Sequence, residues 1–410
     1  MERLKPVDDR RCHAVRDIAG PRCNGGVRGE RIHLAQRPGT QRFPGHGGAR
    51  EHEPLRTQGR ARAGPAPVTS RPAPLAEPGR RDFLGLAALA GVVPLALPTR
   101  AGAAPTALPP IPWGPLKQVD AGDLSVAYVD EGPRDGVPVI LLHGWPYDIH
   151  AFVEVVPLLV AAGHRVIVPY LRGYGATRIR SAGAVRNGQP AALASDAVAL
   201  MDALKVDRTV LAGFDWGART AGIVAALWPE RVRALVSVSG YLIGSQAGGR
   251  KPLPPRAELQ WWYQFYFATD RGQAGYEANR AAFARLIWEL ASPQWRFGDS
   301  VFARSAESFE NPDHVAVVVN NYRWRLGLVD GEARFDAIEA KLATGPAIAI
   351  PTITIEGDAN GAPHPEPEAY RPKFTGRYEH RLLRGGIGHN PPQEAPREFA
   401  DAILAVAGWS

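Results

Sequence analysis

Strand and helix patterns alternate along most of the chain, and this alternation restricts the possible folds more than any other feature. Short runs of β-branched and other apolar residues predict strands, and segments of helical length such as 190–204 and 219–226 separate many of them. The predicted strands are 124–129, 138–142, 165–169, 209–212, 234–239 and 349–355. We therefore expect an α/β fold with a mostly parallel central sheet covered by helices on both faces.

One long stretch, residues 248–345, interrupts this alternation with helical, aromatic-rich sequence and no strand pattern. Its aromatic residues include Trp261, Trp262, Tyr263, Phe265, Tyr266, Phe267, Trp288 and Trp295. An all-helical insertion between two core strands is typical of a cap over the carboxyl edge of the sheet, where ligands bind in open α/β folds. From residue 104 onwards, the chain then divides into a first core part (104–247), the cap (248–345) and a second core part (346–410).

The first 103 residues read as a leader. Residues 1–78 are rich in Arg, Gly and Pro and have no periodic apolar pattern, which predicts disorder, unless translation starts later, at Val68. Residues 79–103 contain Arg80-Arg81-Asp82-Phe83-Leu84, a short apolar run and Ala101-Gly102-Ala103. This segment resembles a twin-arginine signal peptide, which predicts export to the periplasm or beyond, cleavage after Ala103 and no stable membrane insertion.

Charge and cysteine content exclude several classes of function. The formal charge is +7, but residues 1–103 hold 18 basic and 9 acidic residues, which leaves 30 basic and 32 acidic residues in the rest. The mature part is nearly neutral, so we expect no nucleic-acid partner. Both cysteines, Cys12 and Cys23, lie in the leader, which excludes a disulfide framework, a thiolate nucleophile or a cysteine-bound metal in the mature chain.

The segment 209–217 carries the strongest chemical signal. A predicted strand runs into Gly213-Phe214-Asp215-Trp216-Gly217 and then into a helix. In α/β-hydrolases the similar G-x-S-x-G turn is a strained elbow that holds a serine nucleophile above the sheet. Asp215 stands at that central position, and a carboxylate there can attack carbon and form an ester that water must cleave. The alternative is an ordinary helix N-cap aspartate.

Two further motifs supply partners for Asp215. His389 lies in the glycine-rich segment 385–392 after a predicted strand, where it can reach the nucleophile and activate water; His364 and His380 are the competing histidines. Asp358 follows the strand that ends near Ile355, so we expect it to orient the histidine, with Glu356 as the alternative. His143-Gly144-Trp145-Pro146 follows another predicted strand, and its Trp145–Pro146 bond is a candidate cis peptide.

These four motifs resemble those of the epoxide hydrolases of the α/β-hydrolase fold. The resemblance implies that the backbone amides of Trp145 and Trp216 form an oxyanion hole. It also implies that Tyr263 and Tyr322 donate hydrogen bonds to the epoxide oxygen, since an alkoxide leaves poorly unless its charge is met. The expected substrate-binding residues are Pro146, Trp262, Gln264 and Tyr266. Phe214 and Asn321 replace residues common in relatives, so the resemblance does not fix the substrate.

The expected function is hydrolysis of a small, apolar epoxide to a vicinal diol without metal or cofactor. In this mechanism Asp215 forms an ester and water activated by His389 cleaves it. A haloalkane or haloacid dehalogenase uses the same Asp-His-Asp set and is the first alternative, with the Trp216 indole as a halide donor. A binding protein of the same fold without turnover is the second. A serine esterase is disfavoured because no G-x-S-x-G turn occurs.

Overall fold

A mixed, mostly parallel sheet of nine strands forms the centre of the part of the chain that the structure describes, residues 110–409 of a computed structural model. These residues belong to one compact unit. The strands are β1 (Lys117–Ala121), β2 (Leu124–Glu131), β3 (Pro138–Leu142), β4 (Arg165–Pro169), β5 (Arg178–Ile179), β6 (Thr209–Gly213), β7 (Val232–Val238), β8 (Thr352–Gly357) and β9 (Tyr378–Leu383). The predicted leader and signal peptide, residues 1–103, lie outside the described residues.

The strand order in the sheet is β1-β2-β4-β3-β6-β7-β8-β9, and β5 pairs with β2 at the side of this path. Strand β2 pairs antiparallel with β1, β4 and β5, whereas the pairs from β4 through β3 to β9 are parallel. Every residue of β6 is buried, as a parallel central strand requires. Helices α3 (Trp216–Leu227) and α14 (Pro396–Ala407) both pack on this strand.

The remaining core helices follow the predicted alternation. Helix α1 (Val155–Ala161) packs against α14, and α2 (Pro190–Ala203) packs against α3. Short α12 (Pro367–Tyr370) and α13 (Pro391–Glu394) flank β9 in the chain. The α/β fold with a mostly parallel sheet is therefore confirmed.

Between β7 and β8 the chain forms only helices. These are α4 (Gln246–Gly249), α5 (Pro255–Gln260), α6 (Trp262–Phe267), α7 (Asp270–Ala278), α8 (Arg280–Ala291), α9 (Asp299–Ala306), α10 (His314–Arg325) and α11 (Asp336–Ala343). Phe267 and Tyr276 are fully buried where α6, α7 and α8 meet, and both rings contact Phe283. This helical insertion supplies its own small aromatic core. Within residues 110–409, no helix is long and apolar enough to span a membrane.

The strand predictions differ from the structure at several points. Strand β5 was not predicted, β7 spans Val232–Val238 where 234–239 was expected, and β2 and β6 extend past their predicted ends. Strand β1, residues 117–121, was not predicted, because its polar residues show no buried face until it pairs with β2. The strand predicted over residues 349–355 starts later, at Thr352. Pro351 lacks the N–H that a ladder needs, and only its carbonyl takes part, accepting from Leu235.

Candidate active site

The turn between β6 and α3 holds Asp215 in a conformation that few side chains adopt. Its backbone has φ 53° and ψ −121°, outside the regions favoured for L-residues. The turn requires glycine at Gly217, because a Cβ there would collide with the carbonyl of Leu142 on β3. Such strain is common where a reactive side chain must project above a sheet. Asp215 thus lies at the sharp elbow that the sequence predicts.

The carboxylate of Asp215 is held between two groups. The backbone N–H of Trp145 donates to Oδ1 at 2.8 Å, and His389 Nε2 lies 3.5 Å from Oδ2. Burial opposes ionisation, but the hydrogen bond and charge of His389, the charge of Arg219 and the Trp145 amide together hold the pKa of Asp215 below its usual range. Asp215 is therefore an anion at neutral pH, as a nucleophile must be.

The segment 143–146 turns at a cis Trp145–Pro146 bond, which confirms that prediction. A buried chain of hydrogen bonds fixes the Trp145 ring. The Trp145 indole donates to the Tyr276 hydroxyl at 2.9 Å, and this hydroxyl lies 2.8 Å from His314 Nε2. His314 Nδ1 lies 2.9 Å from the carbonyl of Gly173, and burial lowers the pKa of His314 to about 3. The neutral imidazole can donate to this carbonyl through Nδ1 and accept from Tyr276 through Nε2.

Tyr263 and Tyr322 approach each other above the nucleophile. Their rings meet edge to face with centroids 5.3 Å apart, and each lies about as close to the Trp145 ring, at 5.1 and 5.2 Å. Burial, with the nearby negative charge of Asp215, raises the pKa of each tyrosine well above its ordinary value. Both hydroxyls therefore remain protonated across the working range of pH and can donate hydrogen bonds.

A small cavity of about 70 Å³ opens beside these groups. Its lining includes Trp145, Asp215, Trp262, Tyr263 and His389, together with residues from the cap. Three of the four predicted substrate-binding residues, Pro146, Gln264 and Tyr266, do not line it. Tyr266 stacks on Phe283 within the cap, and the carbonyl of Pro146 accepts a hydrogen bond from the Trp288 indole at 2.7 Å. Substrate binding by Pro146 and Tyr266 stays a prediction.

Gln264 and Trp216, unlike Trp262, do not line this small cavity. Gln264 is buried and lines a larger, adjoining cavity of about 440 Å³. Trp216 is the first residue of α3, so its backbone N–H belongs to the group that has no partner inside the helix. Its indole Nε1 is buried and has no hydrogen-bond partner within the described chain.

The glycine-rich loop that carries His389 is held by hydrogen bonds that its consecutive backbone amides donate. Asp358 accepts from the amides of Gly385, Gly386 and Ile387 at 2.9–3.0 Å. The Asp358 carboxylate is exposed, and no hydrogen bond joins it to His389 among the described residues. Asp358 anchors the loop through the main chain, since the glycine loop folds over the carboxylate and brings three N–H groups to it. Its role in orienting His389 stays a prediction.

The second half of the same loop has its own two acceptors. Glu394 on α13 accepts from the amides of Gly388 at 2.6 Å and Asn390 at 2.9 Å. Ser292, which follows cap helix α8, accepts from the His389 amide at 2.9 Å and donates to Glu394 at 2.7 Å. The position of the histidine is thus tied to both the core and the cap.

The imidazole itself has one free nitrogen. Within residues 110–409, His389 Nδ1 is buried without a hydrogen-bond partner, and so is Oε2 of Glu356, the alternative acid at the end of β8. The other Glu356 oxygen accepts from the Asn360 side chain at 2.7 Å. The competing histidines lie elsewhere: His380 Nδ1 is 3.0 Å from the Thr354 hydroxyl, and His364 Nδ1 is 2.9 Å from a carbonyl of its own loop.

Sequence reasoning missed two arginines near the nucleophile, Arg219 and Arg325, which both line the cavity that contains Asp215. Spacing carried a signal for each. Arg219 lies four residues after Asp215 on α3, and Arg325 lies three residues after Tyr322 on α10. Residues at these separations share a helix face.

An aspartate at a strained strand–helix elbow, faced by a histidine from the loop after the last strand, defines the class: this is an α/β-hydrolase. Comparison with known proteins agrees, because residues 137–277 match the model of the alpha/beta hydrolase fold. An epoxide hydrolase from Caballeronia sordidicola is 30% identical over 315 residues, which cover 71% of this chain and 93% of that protein. The chain belongs to the epoxide hydrolase family of this fold.

Other relatives differ in identity and in how much of their length they share with this chain. A crystal structure from Klebsiella pneumoniae subsp. pneumoniae, of a protein whose own assignment as an epoxide hydrolase is provisional, is 63% identical, with a TM-score of 0.71 over 72% of this chain and 97% of that one. Epoxide hydrolase B of Mycobacterium tuberculosis is 33% identical over 162 residues, or 36% of this chain, and the match spans only 44% of its length. Haloalkane dehalogenases also match.

Proposed function

We propose that this protein hydrolyses a small-molecule epoxide with an apolar body to a vicinal diol through an ester on Asp215. The observation that carries the proposal is the meeting of an ionised Asp215 with two protonated tyrosines, Tyr263 and Tyr322, around the same Trp145 ring. A nucleophile with donors close by is what ring opening requires, because the attacked C–O bond breaks only if its oxygen is stabilised. Tyr263 lines the cavity of Asp215, and the Tyr322 ring contacts the Tyr263 ring.

In the first step an oxygen of Asp215 bonds to one epoxide carbon, and the electron pair of the broken C–O bond moves to the epoxide oxygen. A tyrosine hydroxyl gives that oxygen a proton, which the tyrosine later recovers from solvent. The product of this step is a hydroxyalkyl ester of Asp215.

In the second step His389 removes a proton from water, and the hydroxide adds to the ester carbonyl. The Trp145 amide, already 2.8 Å from Asp215 Oδ1, meets the negative charge that develops on the carbonyl oxygen, with the unpaired amide of Trp216 as the second donor. The ester C–O bond then breaks, the departing alkoxide takes the proton from the imidazolium, and the diol leaves.

Glu356 is the carboxyl group that we propose to orient the His389 ring once substrate is bound. It is the predicted alternative to Asp358, and its Oε2 and His389 Nδ1 are both buried without partners in the described part of the chain. Glu356→Gln should then slow ester hydrolysis and shift its pH profile. If Asp358→Asn shifts the pH profile instead, the original assignment of Asp358 stands.

A single turnover in H₂¹⁸O tests the ester mechanism directly. With enzyme in excess over an aromatic epoxide, the first diol should carry unlabelled oxygen from Asp215, and the label should appear in the tryptic peptide that contains Asp215. Asp215→Asn should form no ester, whereas Asp336→Asn, on exposed α11 outside the cavity, should behave as wild type. Label in the first diol would show direct attack of water and refute the mechanism.

Halide release is a second candidate function. The buried Trp216 indole N–H without a partner is the observation that favours it, because such a donor can stabilise a leaving halide. Haloalkanes and haloacids should be assayed beside the epoxides. Halide release that persists in Tyr263→Phe and Tyr322→Phe would favour this function and leave the role of Asp215 unchanged.

We also propose that the protein is exported through the twin-arginine route. The support is the sequence of residues 79–103 alone, with the paired Arg80 and Arg81, the apolar run and the small residues that end it. Replacement of both arginines by lysine should retain the protein in the cytoplasm of a bacterial host. Unchanged fractionation of the double variant would contradict export by this route.

A further inference from the structure

Two arginines, Arg219 and Arg325, face the nucleophile cavity from opposite helices. Arg219 lies one turn after Asp215 on α3, and Arg325 lies one turn after Tyr322 on α10. The charge of Arg219 interacts with the charges of Arg325 and Asp215. The site therefore brings two cations close to the nucleophile and to one of the two tyrosines that hold the reacting oxygen.

Neither arginine is paired with a carboxylate. Arg219 Nε donates to the carbonyl of Leu242 at 3.1 Å. The Arg325 guanidinium lies over the rings of Trp261 and Tyr322, at 5.1 and 5.6 Å. No ion pair joins either arginine to a described Asp or Glu, although most buried or half-buried arginines are so paired. These contacts position the side chains and leave most of their N–H donors free for a ligand.

The electrostatics of the pair favour an added anion. Burial and the charge of Arg325 lower the pKa of Arg219 to about 10, and Asp215 opposes this only in part. Arg219 is still protonated at neutral pH, so two positive charges repel each other beside the cavity. A bound anion would relieve both the desolvation and the repulsion.

The space next to the arginines is large enough for part of a substrate. Arg219, Leu242, Trp261 and Arg325 line both the nucleophile cavity and the adjoining cavity of about 440 Å³. The charged groups of the larger cavity are basic except for Glu258, which accepts a hydrogen bond from the Leu253 amide; the basic ones are Arg219, Arg250, Lys251 and Arg325. The arginine pair thus lies at the junction of a reaction cavity and a positively charged one.

We infer that Arg219 and Arg325 bind a carboxylate, or an oxyanion of similar shape, at the far end of the substrate. The planar guanidinium presents paired donors that match a carboxylate. The substrate class is then an epoxide with an apolar body and an anionic end, rather than the wholly apolar epoxide that the aromatic sequence of the cap suggested. This inference rests on the proposed epoxide hydrolysis and names its substrate class.

The test compares terminal epoxyalkanoates of increasing chain length with the corresponding primary amides, which have the same shape and no charge. We expect kcat/KM of the wild-type protein to favour the carboxylate by about tenfold or more at one preferred length, because hydrogen bonds to charged groups are the stronger ones. Arg219→Met and Arg325→Met should each bring that ratio towards one, and Arg325→Lys should restore part of it. Arg271→Met, which removes an exposed cap arginine, should keep the wild-type ratio.

A binding measurement separates this inference from the proposed function. Quenching of tryptophan fluorescence, with Trp261 beside Arg325, reports binding of unreactive 4-phenylbutyrate and its amide. Epoxide turnover with no preference for carboxylates, in either assay, would overturn the inference alone. Carboxylate binding that requires both arginines, without turnover of any epoxide, would support the inference and overturn the proposed function. Equal binding of acid and amide would overturn the inference.

Discussion

Glu394 is the residue at which the coupling between the cap and the catalytic histidine can be tested most sharply. Its carboxylate accepts three hydrogen bonds, from the amides of Gly388 and Asn390 and from the Ser292 hydroxyl. Ser292 in turn accepts from the His389 amide. In Glu394→Gln one oxygen becomes an NH₂ group that cannot accept, and the charge disappears. The loop that positions His389 should lose order while Asp215 and the tyrosines keep theirs.

The expected effect of Glu394→Gln on ester hydrolysis follows from the hydrogen bonds that the Glu394 carboxylate accepts. The most direct loss is the 2.6 Å bond from Gly388, whose N–H would face another donor. A hydrogen bond to a charged group contributes about 1.5–3 kcal/mol, and partial exposure of Glu394 favours the lower end. If this loss appears fully in the barrier to ester hydrolysis, the step slows by about 10- to 100-fold, at 1.36 kcal/mol for each factor of ten.

Rapid-quench kinetics separates the two chemical steps. Ester on Asp215 is measured by the mass of the intact protein, and diol is measured by chromatography. In Glu394→Gln we expect ester to form at the wild-type rate and then to accumulate, because only its hydrolysis needs a well-placed His389. Ser292→Ala should show the same pattern to a smaller degree, since Glu394 still accepts hydrogen bonds from both backbone amides.

Glu398→Gln is the matched control, because Glu398 is exposed on the first turn of α14 and should leave both steps unchanged. Thermal unfolding of each variant shows whether slower kinetics arises from loss of folded protein. Equal slowing of ester formation and ester hydrolysis in Glu394→Gln would refute a positioning role. Unchanged ester hydrolysis would refute it as well.

Three other outcomes follow from the geometry. Tyr263→Phe and Tyr322→Phe should each slow ester formation by about 10²- to 10³-fold, measured by rapid quench, because each removes one donor to the developing alkoxide; a small effect of both would argue against their role. The pKa of Asp215 is held below its usual range, so the nucleophile stays ionised as pH falls, and the rate of ester formation should hold between about pH 7 and about pH 5. A decline over that interval would show a raised pKa instead. Gly144→Ala places a methyl group 2.6 Å from Asp215 Oδ1, and should abolish ester formation and lower the free energy of unfolding by about 1–3 kcal/mol, measured with urea. Normal activity would mean that the turn can move.

Much of the fold could be predicted because its signals are local. The apolar runs at β3 and β4 have the predicted strand limits, since apolar residues between breakers have few other ways to become buried. The elbow at Asp215 was also readable, because a turn this tight needs small residues such as Gly217 at fixed positions. Fold class and family followed from these features.

The partners of the site residues could be predicted only in part. Asp358 stands in the expected loop, yet its carboxylate bonds to loop amides and not to the His389 ring. Tyr266 was expected to bind substrate, but on α6 its ring stacks on Phe283 within the cap. Sequence spacing fixes which residues come to one sheet edge or helix face, but small rotations decide which atoms meet.

The sequence by itself therefore determined most of the strands, the helical character of the segment between β7 and β8, and the elbow that presents Asp215. Tertiary structure alone decided that Ser292 of the cap supports the His389 loop and that Arg219 and Arg325 flank one cavity. The physical reason is the range of the interactions. Backbone conformation and burial pattern depend on neighbours in the chain, whereas hydrogen-bond partners and paired charges depend on segments that only folding brings together.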